Sequence, residues 1–369
     1  MMLKKKVVFQ IVVESILATF CFVIFVFFFF YDQIHAYIKG SYTLTNSFVK
    51  AETLEFPTVT LCTSPGQKTS PGLLYGLTHS MDLYEKDIPN VSLTERFDNL
   101  SYSLDRDFQI MINGQEVKVG INTFEAHSKY EEMNGGQFEI KLLRTYTQGT
   151  CYSIIPNFEI RGDYGVDFKV TFNSTLVPQD FPDGIMIYLT SNISWANIPD
   201  LTWPRITPTS RWLGFGKSFF EFYVNIIEYI FKTGVDNVER CLTKAAMGLK
   251  CPVKCHLLGS YDLPSCNKTE ELNCMYSYIH TTEESNCYLS KKFLAYKMVD
   301  VNTRRFHNTS DGSIEFYIGM WSMIKEVKEE IEVLSTPDLI GSVGGSLGMF
   351  FGFSFTATCN FFLRKVFKF

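Results

Sequence analysis

The chain has 369 residues, with 34 basic and 39 acidic side chains, a formal net charge of −5 and 46% hydrophobic content. An acidic balance supplies none of the basic surface that nucleic acid demands, so no nucleic-acid partner is expected. The six histidines fall in no HExxH or other metal spacing, and there is no G-x-S-x-G elbow or phosphate loop. Enzyme chemistry, a resident metal and a cofactor are therefore not expected.

The N-terminus reads as a membrane helix. Lys4, Lys5 and Lys6 precede an apolar stretch from Val7 to Tyr31 whose single charge is Glu14. A signal peptide has an apolar core of roughly 7–15 residues and then a small-residue cleavage site. Here the core is longer and runs into Tyr31-Asp32-Gln33-Ile34 without such a site, so a retained transmembrane helix is predicted over 7–31. Gln10 and Glu14 share one face of it. Glu14 lies close to the basic end, within reach of the interface; lining an inner vestibule is the weaker alternative.

The middle of the chain reads as mostly β. Glu55–Cys62 and Gly149–Ile155 are strand-like, and Phe158–Phe172 shows stretches of alternation. Phe219–Phe231 is apolar at helical spacing and is expected to be a core or interface helix. Asp311-Gly312 signals a turn before the alternating Ile314, Phe316, Ile318 and Met320. No repeat or long linker interrupts the region, which is expected to be one unit stapled by disulfides.

Six N-x-S/T sequons, at Asn90, Asn99, Asn173, Asn192, Asn267 and Asn308, all fall in this middle region and are candidate glycosylation sites. Eight of the ten cysteines lie there too: Cys62, Cys151, Cys241, Cys251, Cys255, Cys266, Cys274 and Cys287. Cys251-x3-Cys255 with Cys266 and Cys274 could imitate a zinc knuckle, but beside sequons an oxidising compartment and disulfides are the better reading. Spacing leaves the pairing open, since eight cysteines allow about 105 connectivities. Cys21 and Cys359 lie in the two terminal apolar stretches and are expected to be free.

From Leu339 to Leu363 there are 25 residues without a charge, preceded by Asp338 and followed by Arg364, Lys365 and Lys368. As a helix this run is about 37 Å long, enough for a ~30 Å hydrocarbon core. It contains Gly341, Gly344, Gly345, Gly348 and Gly352. Each glycine weakens an isolated helix by ~1 kcal/mol relative to alanine, so a plain anchor has no use for them. A glycine stripe allows close helix–helix packing instead. Basic residues flank the outer end of each predicted span, which puts both termini in the cytoplasm and the middle outside the cell. From Gln33 to Asp338, 28 bases face 37 acids, an acidic region of −9 that would gather cations or simply aid solubility. The expected organisation is a short cytoplasmic N-terminus (1–6), transmembrane helix 1 (7–31), an extracellular domain (32–338), a pore-lining transmembrane helix 2 (339–363) and a cytoplasmic C-terminus (364–369), in the plasma membrane with two spans.

The segment Gly341-Ser-Val-Gly-Gly-Ser-Leu-Gly-Met-Phe-Phe-Gly-Phe-Ser354 resembles the second membrane helix of the degenerin/epithelial sodium channel family, which includes the acid-sensing channels, with its pattern G-x-x-G-G-x-x-G-[LM]-F-x-G-x-S. Phe56-Pro57-Thr58-Val59-Thr60-Leu61-Cys62 is similar to the family's F-P-x-V-T-x-C strand. Gly149-Thr150-Cys151-Tyr152, with Asn157 beyond, is similar to its G-x-C-Y-T-F-N segment. With the two-helix pattern, the resemblance spans nearly the whole chain. It implies an α+β fold: two transmembrane helices flanking one large, disulfide-rich, mainly β extracellular domain of the acid-sensing-channel type. It also implies a homo- or heterotrimer with family subunits in a lipid bilayer, Na⁺ as the permeant ion, and a voltage-insensitive, amiloride-sensitive-type sodium or cation channel.

On the same resemblance Gly352, Phe353 and Ser354 are the selectivity filter, Gly341, Gly344, Gly345 and Gly348 pack the pore helices, and Asp338 forms a carboxylate ring at the outer mouth. Irregular backbone and a serine hydroxyl could replace part of the hydration shell of Na⁺ there. The implied disulfides are Cys62–Cys151, Cys241–Cys287, Cys251–Cys274 and Cys255–Cys266. Several positions depart from the family. Phe353 is bulkier than usual, Asn360 replaces an acid and Ser342 an aspartate, which weakens the expected Na⁺ preference. Ser290 and Lys291 replace a proline and a cysteine. A His-Gly motif has no counterpart before Val7, so the chain is expected to be a truncated or short form, or a subunit that needs partners. A non-conducting surface receptor or auxiliary subunit with the same fold is the alternative. ATP-gated channels share the topology but lack the glycine–serine signature. The pairs Glu131-Glu132, Glu283-Glu284 and Glu329-Glu330 are expected to be solvated faces, and no gating stimulus is legible.

Overall fold

The computed structural model describes residues 31–40, 42–64, 68, 92–118, 123–126, 136–145, 149–176, 180, 182–191, 209–214, 218–232, 250–253, 255, 266–271, 273–274, 291–305, 312–320, 322–332 and 336–351. The chain divides into two compact units. One is Met1–Thr45 with Glu330–Phe369; the other is Asn46–Glu329.

The chain opens with α1 (Tyr31–Lys39), β1 (Tyr42–Lys50), β2 (Leu54–Glu55) and β3 (Thr58–Ser64), then α2 (Leu93–Leu100). There follow β4 (Phe108–Ile112), β5 (Gln115–Val117), β6 (Thr123–Ala126), β7 (Gly136–Thr145), β8 (Gly149–Pro156), β9 (Glu159–Ile160) and β10 (Tyr164–Phe172). The last strands are β11 (Gly184–Thr190), β12 (Thr209–Gly214), β13 (Ser218–Ile230), β14 (Lys292–Arg305), β15 (Ser313–Met320) and β16 (Ile324–Glu332), and α3 (Thr336–Phe351) closes the series. They form an 8-stranded sheet in the order β1-β16-β13-β15-β10-β4-β5, with β14 beside β13. A 6-stranded sheet runs β12-β11-β3-β8-β7-β6, and β2 pairs with β9.

Alternation builds the core of the larger sheet. Val166, Phe168 and Val170 of β10 face inward and sit opposite Ile318, Phe316 and Ile314 of β15. Phe168 stacks on Phe316 with ring centroids 4.9 Å apart. Such cross-strand pairs are the unit of sheet stability, each contributing on the order of 0.2–1 kcal/mol beyond burial. On the other edge of β10, Asn113-Gly114 closes the β4–β5 hairpin with φ of 47° and 81°. Both angles are positive, as a tight primed turn requires. Asn113 locks the turn to β10: its N–H donates to the Asp167 carbonyl and its Oδ1 accepts the Asp167 N–H, each at 2.8 Å.

The expected helix over Phe219–Phe231 is corrected to strand β13. Positions 219, 222, 223, 226, 227 and 230 are apolar and fit a helical stripe, but Phe, Tyr, Val and Ile equally suit a pleated surface. Pairing decides between them. β14 runs antiparallel along one side of β13, while β15 and then β16 run parallel along the other. Neighbours on both edges make β13 an interior strand. Phe222, Val224 and Ile226 are buried on one face, while Phe219, Tyr223 and Tyr229 are half-buried and Ile227 is buried on the other, and apolar residues on both faces blur the period-2 signal.

The expected fold class is corrected as well. The described residues are mostly β, and their three helices are short, at 9, 8 and 16 residues. No helix among them is long and apolar enough to cross a membrane. At 1.5 Å per residue α3 measures about 24 Å, short of a ~30 Å core. Its glycines lower both its apolarity and its helix propensity. The assignment to the plasma membrane with two spans and cytoplasmic termini is corrected on the same finding. Of the predicted span 7–31 only Tyr31 is described, and of 339–363 only 339–351; the remainder lies outside the described residues.

Candidate functional site

α3 carries most of the described pore candidates. It begins Thr336-Pro337-Asp338, a start that chemistry favours. Proline fits the first helical turn because its missing N–H has no partner there, and a carboxylate in that turn complements the helix dipole. Asp338 is exposed. Gly341, Gly344 and Gly345 are exposed too, and a Cβ added at any of them would meet nothing within 4 Å. Among the described residues, therefore, nothing occupies the space beside these glycines. Gly348 lies further along the same helix. Gly352, Phe353, Ser354 and Asn360 lie outside the described residues.

The two helices of this unit touch through polar groups that sequence reading missed. Tyr37 Oη and Thr336 Oγ1 are 2.8 Å apart. Tyr37 sits in the last turn of α1, where its carbonyl accepts the Gly40 N–H at 3.1 Å. Gly40 has φ of 61°, the left-handed conformation that ends helices and suits glycine. No sequence signal links residues 299 positions apart.

In the second unit two of the quoted motifs are neighbours. Thr58–Cys62 of the F-P-x-V-T-x-C segment lie in β3, Gly149–Tyr152 begin β8, and the two strands pair antiparallel with Cys62 opposite Cys151. A disulfide joins these cysteines at a Cα separation of 4.4 Å, the spacing of a non-hydrogen-bonded antiparallel pair. Thr60 and Ser153, one step along the same face, hydrogen-bond through their hydroxyls at 2.8 Å. Disulfides also join Cys251 to Cys274 and Cys255 to Cys266. Cys241 and Cys287 lie outside the described residues. Among the described residues no group of three or more His, Cys, Asp or Glu could hold a metal ion.

Three sequons are described, each with an exposed asparagine. Asn99 is on α2. Asn173 follows β10; its Oδ1 accepts the Thr175 N–H at 3.1 Å and its Nδ2 donates to the Arg106 carbonyl at 3.3 Å. The Asn267 N–H donates to Glu271 Oε2 at 3.1 Å. Asn90, Asn192 and Asn308 lie outside the described residues.

Two buried carboxylates organise the second unit. Asp107 accepts from Lys68 Nζ at 3.0 Å, from Arg106 Nη2 at 3.0 Å and from the Ser103 N–H at 2.7 Å. Burial pushes its pKa up, but the hydrogen bonds of Arg106, Ser103 and Lys68 outweigh that and hold it below the usual carboxylate value. Around it the Leu104 N–H donates to Tyr152 Oη at 2.8 Å, and Tyr102 Oη donates to the Asp180 carbonyl at 2.7 Å. Burial pushes the Tyr102 phenol well above its ordinary value, so it stays a neutral donor. Glu228 of β13 is pinned by Lys292 of β14 at 2.7 Å and Lys325 of β16 at 2.6 Å. Burial raises its pKa, and the two lysines more than reverse the effect.

No family model matches the chain, and no curated protein matches it. Among solved structures, a cryo-EM structure of a proton-activated chloride channel is similar at 9% identity and a TM-score of 0.36, over 94% of this chain and 93% of that one. That neighbour is a channel.

Proposed function

We propose that the chain is a subunit of a trimeric, voltage-insensitive, amiloride-sensitive-type sodium or cation channel. Three copies of α3 and the residues that follow it surround the ion path. The observation that carries this reading is the bare glycine face of α3, where a Cβ at Gly341, Gly344 or Gly345 would touch nothing. Packing among the described residues gives those glycines no purpose, and each weakens the helix by ~1 kcal/mol. Close approach of another helix gives them one. The pairing of Cys62 with Cys151 on adjacent strands adds support, because two separately quoted family motifs meet there. By resemblance Gly352, Phe353 and Ser354 select the ion, with a modest Na⁺ preference because Phe353 is bulky and Asn360 is neutral.

The test is electrical. Cells expressing the chain alone, or with family subunits, are expected to show an amiloride-blockable Na⁺ current. Thiol reagents are expected to change that current in a Ser354→Cys variant. Delivery to the cell surface with no current in any combination would overturn the proposal in favour of a non-conducting subunit.

A further inference from the structure

We infer that Asn173, of the three described sequons, is the one that still accepts an N-linked glycan after the chain has folded, an inference independent of the channel reading above. Transfer needs the asparagine amide and the hydroxyl two residues on to be presented together, which is why the motif is N-x-S/T. All three asparagines are exposed, so the hydroxyl decides. The Asn99 sequon ends at Ser101, which is 2% exposed, with its Oγ closed off from solvent. The Asn267 sequon ends at Thr269, which is 3% exposed. In the third sequon Asn173, Ser174 and Thr175 are all exposed. The disulfides of the described residues place folding in an oxidising compartment, where such glycans are also added.

Local structure explains the difference. Asn173 leaves the end of β10 with its backbone anchored, its N–H donating to the Asp107 carbonyl at 2.8 Å. Its Oδ1 then accepts the Thr175 N–H at 3.1 Å, a turn that keeps Thr175 beside the amide and leaves both on the surface. Nδ2 carries two hydrogens and donates one to the Arg106 carbonyl. In the transfer Nδ2 bonds to C1 of the sugar, the bond from C1 to the diphosphate of a lipid-linked oligosaccharide breaks, and the second hydrogen leaves as a proton. The hydrogen bond to Arg106 survives. By contrast Asn99 lies on α2, where Leu100 is buried and carries Ser101 into the interior with it. That hydroxyl, like Thr269, reaches a transferase only when its segment opens.

The test uses the purified, disulfide-bonded full chain made without glycans. It is incubated with an oligosaccharyltransferase and a lipid-linked oligosaccharide diphosphate, and occupancy is read by peptide mass mapping. In the native chain Asn173 is expected to be modified at least about tenfold faster than Asn99 and Asn267, which react only in proportion to their open fraction. In the reduced, denatured chain the three are expected to react alike, and Asn173→Gln to remove the native signal. A smaller preference in the native chain, or no transfer to Asn173, would overturn the assignment. So would the same preference in the denatured chain, because it would come from the sequence and not from the fold.

Discussion

Asp107 sits where one proton matters. Its side chain is 6% exposed and its partner Lys68 is 8% exposed, so neither charge has water to fall back on. Asp107→Asn would leave the Lys68 ammonium buried without its counter-charge. Removing one member of such a pair costs about 3–5 kcal/mol. Chemical denaturation at pH 7 is the measurement, and a loss under ~1 kcal/mol would show that water reaches Lys68. The pH dependence has a definite sign. The folded pKa is depressed, so the stabilisation is fully present above the unfolded value of ~3.9 and disappears as pH falls through the folded value. The wild-type chain is expected to lose stability on acidification below about pH 4, and the asparagine variant to lack that part of the slope. None of this was legible in the sequence. Asp107 follows Arg106 directly, which reads as a surface pair, and the partner that buries it is 39 residues away.

Strands β10 and β15 show what local pattern can specify and what it cannot. Ile314, Phe316, Ile318 and Met320 alternate in the sequence and face the core together in the structure. Period 2 is visible there because only one face of β15 is consistently apolar. β13 carries apolar residues on both faces, one buried and the other largely half-buried, so its apolar positions mimic a helix. The stack of Phe168 on Phe316 is the place to test how tightly the sheet is packed. Phe168 is 1% exposed and Phe316 is 0% exposed, so Phe168→Ala opens a cavity with no room to collapse. A loss of about 3–5 kcal/mol is expected from the unfolding midpoint in denaturant. A loss below ~1 kcal/mol would mean that the two sheet strands close over the gap. Phe168→Leu, which keeps most of the volume, is expected to recover most of the loss.

At the scale of the whole molecule the sequence marked which cysteines and glycines matter before it could show where they lie. Cys62 and Cys151 are 89 residues apart and become opposite residues on neighbouring strands; only the family resemblance linked them, because spacing alone permits any pairing. Gly341, Gly344 and Gly345 were legible as a small-residue face, but their surroundings were not. That face now separates two effects that are usually entangled. Gly344→Leu places a bulky side chain where no described residue stands within 4 Å of the added Cβ, and replaces a poor helix former with a good one. The folded chain is expected to be as stable as wild type, or more stable by up to ~1 kcal/mol, in thermal unfolding. Assembly is expected to fail, because the added side chain holds the helices apart where glycines let them meet. Chemical cross-linking and light scattering on the purified full chain would show a trimer for wild type and smaller species for the variant. A variant that is stable and still trimeric would mean that the glycine face of α3 lies away from the axis, and the proposed ion path would have to be built from other residues.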